Sequence, residues 1–269
     1  MGANPQYHTH TAAGDLSALC LIVGAPGRAE MIAREFLKDA RRFSNDHRGL
    51  VSYTGTYRDK QVSVTTSGMG GPSMGIVLPE AVLSGARIFI RVGSCGSLIQ
   101  ESEPGDVIIP TAAIRFGGTA EVWAPTEYPA FAHWLVVHAL VQEANLLARG
   151  HYHTGVECST DDYYTGQGRP NPLSGALPAR MRARHEEVLR LGAACYSMEA
   201  ADLFVWCATA GGGLPAGAIN AVFVNRHTGK WETKGEELAA HIALDALCRL
   251  SDCPELAGCA SRRLPLYPA

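Results

Sequence analysis

Arg91-Val92-Gly93-Ser94-Cys95-Gly96-Ser97, directly after the apolar run Ala86-Arg87-Ile88-Phe89-Ile90, is the stretch whose reading decides the fold. A β-branched and aromatic run ending in small, glycine-flanked residues predicts a buried strand that hands its C-terminal end to a tight turn, where backbone N–H groups and a hydroxyl face a ligand. Open α/β sheets bind ligands at that end of their strands. Arg91 stands out, because a guanidinium at the mouth of a buried strand requires an anionic partner. An internal ion pair with a carboxylate would satisfy it. So would a bound anion, which Ser94 and its neighbouring glycines would let approach the backbone closely.

Upstream, Ala18-Leu19-Cys20-Leu21-Ile22-Val23 predicts a buried strand, closed by the turn Gly24-Ala25-Pro26-Gly27-Arg28 and followed by a helix over Ala29 to Leu37. Strand, glycine turn and helix together form a phosphate-binding geometry, since the helix N-terminus offers free N–H groups and Arg28 adds charge. A hairpin is predicted from Leu50–Tyr57 and Gln61–Ser67 around Arg58-Asp59-Lys60. It runs into a second glycine corner, Gly68-Met69-Gly70-Gly71-Pro72-Ser73, before a helix over Ile76 to Leu83. Three such corners in the first hundred residues favour a small phosphorylated or anionic ligand.

Downstream, Pro104–Arg115 reads as turn and strand, Phe131–Leu147 as a helix with an apolar core face, and Thr154–Thr160 as a strand. That strand enters a polar loop from Asp161 to Pro170. Arg180–Leu191 predicts a solvated helix, Ala194–Glu199 the end of a short strand, and Ala200–Ala210 an apolar helix. Gly217–Val224 is a last buried strand leading to Asn225-Arg226, and Glu236–Leu250 a closing helix. No repeat or linker divides the chain, so one domain is expected over residues 1–269, with an N-terminal arm at 1–15 and a peripheral proline-rich tail at 251–269. Within the arm, His8 and His10 alternate without a third metal ligand, which leaves a solvated arm or one donated to a neighbour's site.

A hydrophobic share of 46% and a charged share of 18% exclude disordered and fibrous classes. A net charge of -3 gives no footprint for nucleic acid, so any bound anion must be met by a local arginine cluster. The 8 cysteines are scattered without CxxC pairs or metal-ligand spacing, no apolar run reaches membrane-spanning length, and no signal peptide is expected. These features predict reduced thiols in a cytoplasmic protein.

In this order along the chain, Gly24-x-Pro26-x-Arg28, Ser67-Gly68-Met69-Gly70-Gly71-Pro72-Ser73, Arg91-Val92-Gly93-Ser94-Cys95-Gly96, Pro104-Gly105-Asp106-Val107, and Met198-Glu199-Ala200-Ala201 resemble the marks of the nucleoside phosphorylase-I family. Gly166-Gln167-Gly168-Arg169 and Val224-Asn225-Arg226 resemble its uridine phosphorylase branch. The resemblance spans about residues 6 to 250. It implies an α/β fold with a central mixed sheet, partly closed like a barrel and flanked by helices, which the strand-helix alternation allows. It also implies phosphorolysis of uridine or a close analogue, giving uracil and pentose 1-phosphate, with inorganic phosphate as co-substrate and no other cofactor or metal.

By the same resemblance, Gly24, Arg28, Arg91 and Ser94 match the phosphate cradle, and Arg48 matches an arginine contributed by a neighbouring subunit. Glu199 matches the carboxylate that binds the ribose hydroxyls, with Met198 packing on the sugar, Ser94 bridging sugar and phosphate, and His8 reaching the 5′ position from an adjacent subunit. Gln167 and Arg169 match the uracil-binding amide and guanidinium, while Gly96, Tyr163, Phe223 and Val224 line the base site. Aromatic and β-branched residues at strand ends also suit a core. Arg91, Arg169, Gln167 and Glu199 carry the chemistry in this reading, and a homo-oligomer, dimer or hexamer, is implied. Purine members carry a Ser-Asp pair where this chain has Val224-Asn225-Arg226.

The chain departs from the family's pattern at Ala25, where an aspartate is common, at Ser197, where bacterial uridine phosphorylases carry a glutamate, and at Gly49, where some relatives hold an intersubunit monovalent cation. Gly49 makes no case for that cation. The altered arm around His8 keeps open a phosphorylase for 5′-modified or 2′-deoxy uridine. Ala25 and Ser197 keep open a nucleoside-binding protein or a nucleosidase.

Overall fold

The computed structural model describes residues 4–209, 213–256 and 258. Its first half runs β1 (Leu19–Val23), α1 (Pro26–Phe36), β2 (Lys38–Asn45), β3 (Leu50–Tyr57), β4 (Lys60–Thr66), α2 (Gly71–Ser84) and β5 (Ile88–Ser97). The second runs β6 (Val107–Phe116), β7 (Ala130–Phe131), α3 (Trp134–Leu147), β8 (Tyr152–Thr160), α4 (Ala179–Arg190), β9 (Cys195–Ser197), α5 (Ala200–Thr209), β10 (Ala216–Asn225) and α6 (Glu236–Ser251).

All ten strands join one mixed sheet in the order β10-β6-β8-β9-β5-β1-β4-β3-β2, with β7 added to β6. β10 also pairs with β5, so β5, β10, β6, β8 and β9 close into a ring. The expected partial barrel is therefore present. β1 lies between β4 and β5, parallel to both and buried at every residue, which is why it reads as an unbroken apolar run.

Alternation sorts the strand residues into two apolar layers. Leu19, Leu21 and Val23 of β1 and Ile88, Ile90 and Val92 of β5 pack with Ile32 of α1, Leu140 of α3 and Leu244 of α6. Cys20 and Ile22 of β1 and Phe89 of β5 pack with Met74 and Leu78 of α2 and with Phe204 of α5. Each fully buried Leu, Ile or Phe contributes about 1.5–3 kcal/mol through removal from water. Arg91 follows Phe89 on the same face of β5 and is 4% exposed.

Residues 91–97 form no tight turn. β5 continues through them to Ser97, paired with β10 across a register shift between Val222 and Val224. Gly93 and Gly96 lie outside the left-handed region and serve instead as room for side chains. A Cβ on Gly93 would sit 1.6 Å from Nη1 of Arg91.

The first corner is also shorter than predicted, because α1 begins at Pro26, where a fixed φ suits the first helical turn. Arg28 is thus part of the helix. The second corner is a true turn, with Gly68 and Gly70 at φ of 71° and 83°. β2 went unpredicted because it is a polar edge strand, exposed along its first five residues.

The N-terminal arm is packed rather than solvated. The backbone N–H groups of His8 and Thr9 donate to Glu80 of α2, and Thr11, fully buried, shares a hydrogen bond with Ser84. The solvated face predicted for α4 is observed, with Val188 its one buried residue. The predicted end of α5 at Ala210, the first residues of the arm and the tail beyond Gly258 lie outside the described residues. Among the described residues no helix is long and apolar enough to cross a membrane.

Candidate active site

The C-terminal ends of β1, β4 and β5, the start of α5 and the end of β10 converge on a cavity of about 540 Å³. Gly24, Arg28, Arg91, Ser94 and Glu199 line it from the first corner, β5 and the start of α5. Gly96, Tyr163, Gln167, Arg169, Phe223 and Val224 line it as well, together with the half-buried Met198. Tyr163, Phe223 and Val224 therefore face a cavity rather than serving only as core. The first two glycine corners meet here, since a Cβ on Gly24 would lie 3.3 Å from the carbonyl oxygen of Gly68.

Arg91 donates from Nη1 to Oδ1 of Asn220 at 3.0 Å and from Nη2 to Oε2 of Glu199. Glu199, 3% exposed, also accepts from the backbone N–H of Gly70 at 2.9 Å. The second glycine corner thus holds the carboxylate in place. Arg28 donates from Nε to Glu236 at 2.7 Å and from Nη1 to the carbonyl of Val92 at 3.0 Å. Burial pulls its guanidinium below the ordinary range, and Glu236 opposes that pull. Each arginine thus has one carboxylate among its internal partners. The ion-pair alternative for Arg91 is therefore realised, while its Nε, also buried, has no hydrogen-bond partner among the described residues.

At the Gln167 and Arg169 end of the cavity, the polar loop folds through a 3-10 turn at Thr165–Gln167, ended by Gly168 in the left-handed region. Gln167 is 2% exposed, and its Nε2 donates to Thr160 Oγ1 at 3.2 Å and to the carbonyl of Ser197 at 3.4 Å. Its Oε1 accepts from Nη1 of Arg169, which also donates to the Tyr163 carbonyl at 2.8 Å. The Arg169 guanidinium lies 4.2 Å from the centre of the Tyr163 ring, an amide, a guanidinium and an aromatic face held as one unit. Burial lowers the Arg169 pKa from its usual value.

Support comes from a direction the sequence did not reveal. Ser197 contributes its backbone carbonyl to Gln167, and Arg226 Nη1 donates to the Gln167 carbonyl at 2.7 Å. Burial, then the neighbouring Arg169, lowers Arg226 to about 10. Asn225, at the end of β10, does not line the cavity. Its Nδ2 donates to the carbonyls of Ile99, Gln100 and Ser102 and ties two loops together.

His8 and Arg48 do not join the cavity. His8 Nδ1 lies 2.7 Å from Glu80, and Arg48 is exposed beyond β2. Glu236, Asn220, Tyr196 and Trp231 were not anticipated. Glu236 opens α6 after Gly235, where an acid reads simply as a favourable helix start. Asn220 reads as an interruption in an apolar strand, which is the signal that could have exposed it. Trp231 reaches the cavity through an isolated bridge to Val224, and no local pattern announces that contact.

Residues 18–252 match the family model described as phosphorylase superfamily. The uridine phosphorylase of Thermococcus kodakarensis is 38% identical over 250 residues, covering 93% of this chain and 88% of its own. That of Salmonella typhimurium is 35% identical over 228 residues, covering 84% of this chain and 88% of its own. That of Escherichia coli K12 is 34% identical over the same length and shares.

Proposed function

The chain belongs to the phosphorylase superfamily, and from that premise we propose that it cleaves uridine with inorganic phosphate, giving uracil and ribose 1-phosphate. One observation carries the reading. A Gln167–Arg169 pair and an Arg28–Arg91–Glu199 group line the same cavity, so that an amide and a guanidinium can meet the edge of uracil while two guanidiniums meet a phosphate. Relatives bearing the uridine phosphorylase name cover most of the chain.

In this reading a phosphate oxygen attacks the anomeric carbon as the bond from that carbon to N1 of uracil breaks. The sugar passes through a cationic state, and the bond's electron pair leaves with the base. Glu199 accepts hydrogen bonds from the ribose hydroxyls and lies close to the positive charge. Arg28 and Arg91 orient the phosphate, and their fork geometry suits its oxygens. Arg169 donates more strongly to a ring oxygen of uracil as negative charge develops there, which favours the transition state over the bound substrate. The departing anion takes its proton from water.

By the family resemblance, a neighbouring copy completes the cradle with Arg48 and reaches the sugar with His8, neither of which lines the cavity of its own chain. The assembly is accordingly a homo-oligomer, dimer or hexamer. The free cysteines among the described residues support a cytoplasmic location.

The test is uracil release from uridine with and without phosphate, for the wild type and Arg169→Ala. Release that requires phosphate is expected. The substitution should lower kcat/KM for uridine roughly 100-fold or more and leave the phosphate KM within about threefold. Release without phosphate would identify a hydrolase. Unchanged turnover in the variant would remove Arg169 from the base site.

A further inference from the structure

Behind Arg91, the ring of strands encloses a second carboxylate that the reaction just described does not use. Glu157 of β8 and Asn220 of β10 are both 0% exposed. Nδ2 of Asn220 donates to Oε2 of Glu157 at 2.8 Å, and Oδ1 of Asn220 accepts from Nη1 of Arg91 at 3.0 Å. A guanidinium only donates and a carboxylate only accepts, so the amide between them has one satisfactory orientation. Gly93 keeps the crossing open, because a Cβ there would sit 2.3 Å from Oδ1 of Asn220 as well as against Arg91.

The far end of the chain is anchored too. Oε1 of Glu157 accepts from Ser159 Oγ at 2.6 Å and from the backbone N–H of Ala200 at 3.3 Å. Ala200 follows Glu199 directly, so one buried carboxylate is tied both to the arginine and to the backbone that carries the arginine's partner. Such a group is costly to bury. The apolar neighbours Cys95, Ile108 and Val222 show that the ring interior otherwise packs as ordinary core.

We propose that Glu157 is a positioning residue for the nucleophile: acting through Asn220, it fixes the plane of the Arg91 guanidinium and so the place where phosphate is held. The inference rests on the phosphate-dependent reading above. Glu157 touches neither substrate. Its effect reaches Arg91 through two hydrogen bonds, and the base site formed by Gln167 and Arg169 lies off that path.

The experiment is steady-state kinetics with phosphate and uridine varied independently, on the wild type, Glu157→Ala, Glu157→Gln and Asn220→Ala, with unfolding temperatures measured in parallel. Glu157→Ala and Asn220→Ala should raise the phosphate KM roughly 10- to 100-fold, the scale of a lost hydrogen bond to a charged group. In Asn220→Ala, which leaves the contact of Glu157 with Ala200 in place, the uridine KM should move less than about threefold. Glu157→Gln keeps an acceptor oxygen for Asn220 and should restore most of the loss. A phosphate KM unchanged in Asn220→Ala overturns the proposal, whether or not Glu157→Ala folds. Equal increases in both KM values also overturn it, as general damage would produce. Failure of the functional reading has a different signature, a wild type that releases uracil without phosphate.

Discussion

Nη2 of Arg91 donates to Oε2 of Glu199, and both side chains are almost wholly buried. The guanidinium proposed to hold phosphate and the carboxylate proposed to hold ribose are thus each other's partner. Removing one charge leaves the other buried. Glu199→Gln should destabilise the fold by about 3 kcal/mol, seen as a fall of roughly 6–12 °C in Tm by scanning calorimetry. Saturating phosphate should raise the variant's Tm more than the wild type's, since the anion replaces the missing charge. Equal phosphate shifts in the two proteins would show that Arg91 does not meet the anion.

Arg28 carries a similar internal partner in Glu236, but that carboxylate is partly open to water, with a side chain 36% exposed. Solvent weakens such a pair to about 0.5–1 kcal/mol. In the proposed reaction phosphate would displace or share it. Glu236→Gln should therefore lower the phosphate KM by roughly two- to fivefold, measured at fixed saturating uridine. An increased KM would mean that Glu236 orients Arg28 rather than competing for it.

Asp202 is 2% exposed, and its Oδ1 has no hydrogen-bond partner among the described residues. Burial, with Asp161 and Glu199 nearby, pushes its carboxyl from 3.8 up to about 7. The folded chain therefore holds a proton that the unfolded chain has lost between about pH 4 and pH 7. Stability from this group is greatest in acid, falls as pH rises through that window and is level above it. Asp202→Asn should match the wild type near pH 4 and exceed it by on the order of a few kcal/mol at pH 8, read from denaturant unfolding across pH. A constant difference at all pH values would contradict the assignment.

Much of the architecture was legible because it rests on local patterns. β1, β3, β4, β8 and β10 announce themselves as apolar or alternating runs, and α4 as a charged helix. Patterns lose their power where burial is absent or incomplete. β2 is a polar edge strand, and the stretch from Arg91 to Ser97 looks like a turn because its glycines resemble turn glycines. In the fold those glycines clear space for Arg91, Asn220 and Arg226, a purpose set by neighbours distant in sequence.

The sequence by itself determined the strand-helix alternation and the glycine corners after β1 and β4, because each is written within a few consecutive positions, and its family resemblance implied which residue types line the cavity. Only the tertiary structure decided how the charges are paired. Arg91 reaches Glu199 across 108 positions and Arg28 reaches Glu236 across 208. Arg91 also reaches Glu157 through Asn220 on a third strand. A buried charge takes whichever partner the closed ring of strands brings within hydrogen-bond distance, and ring closure is a property of the whole chain.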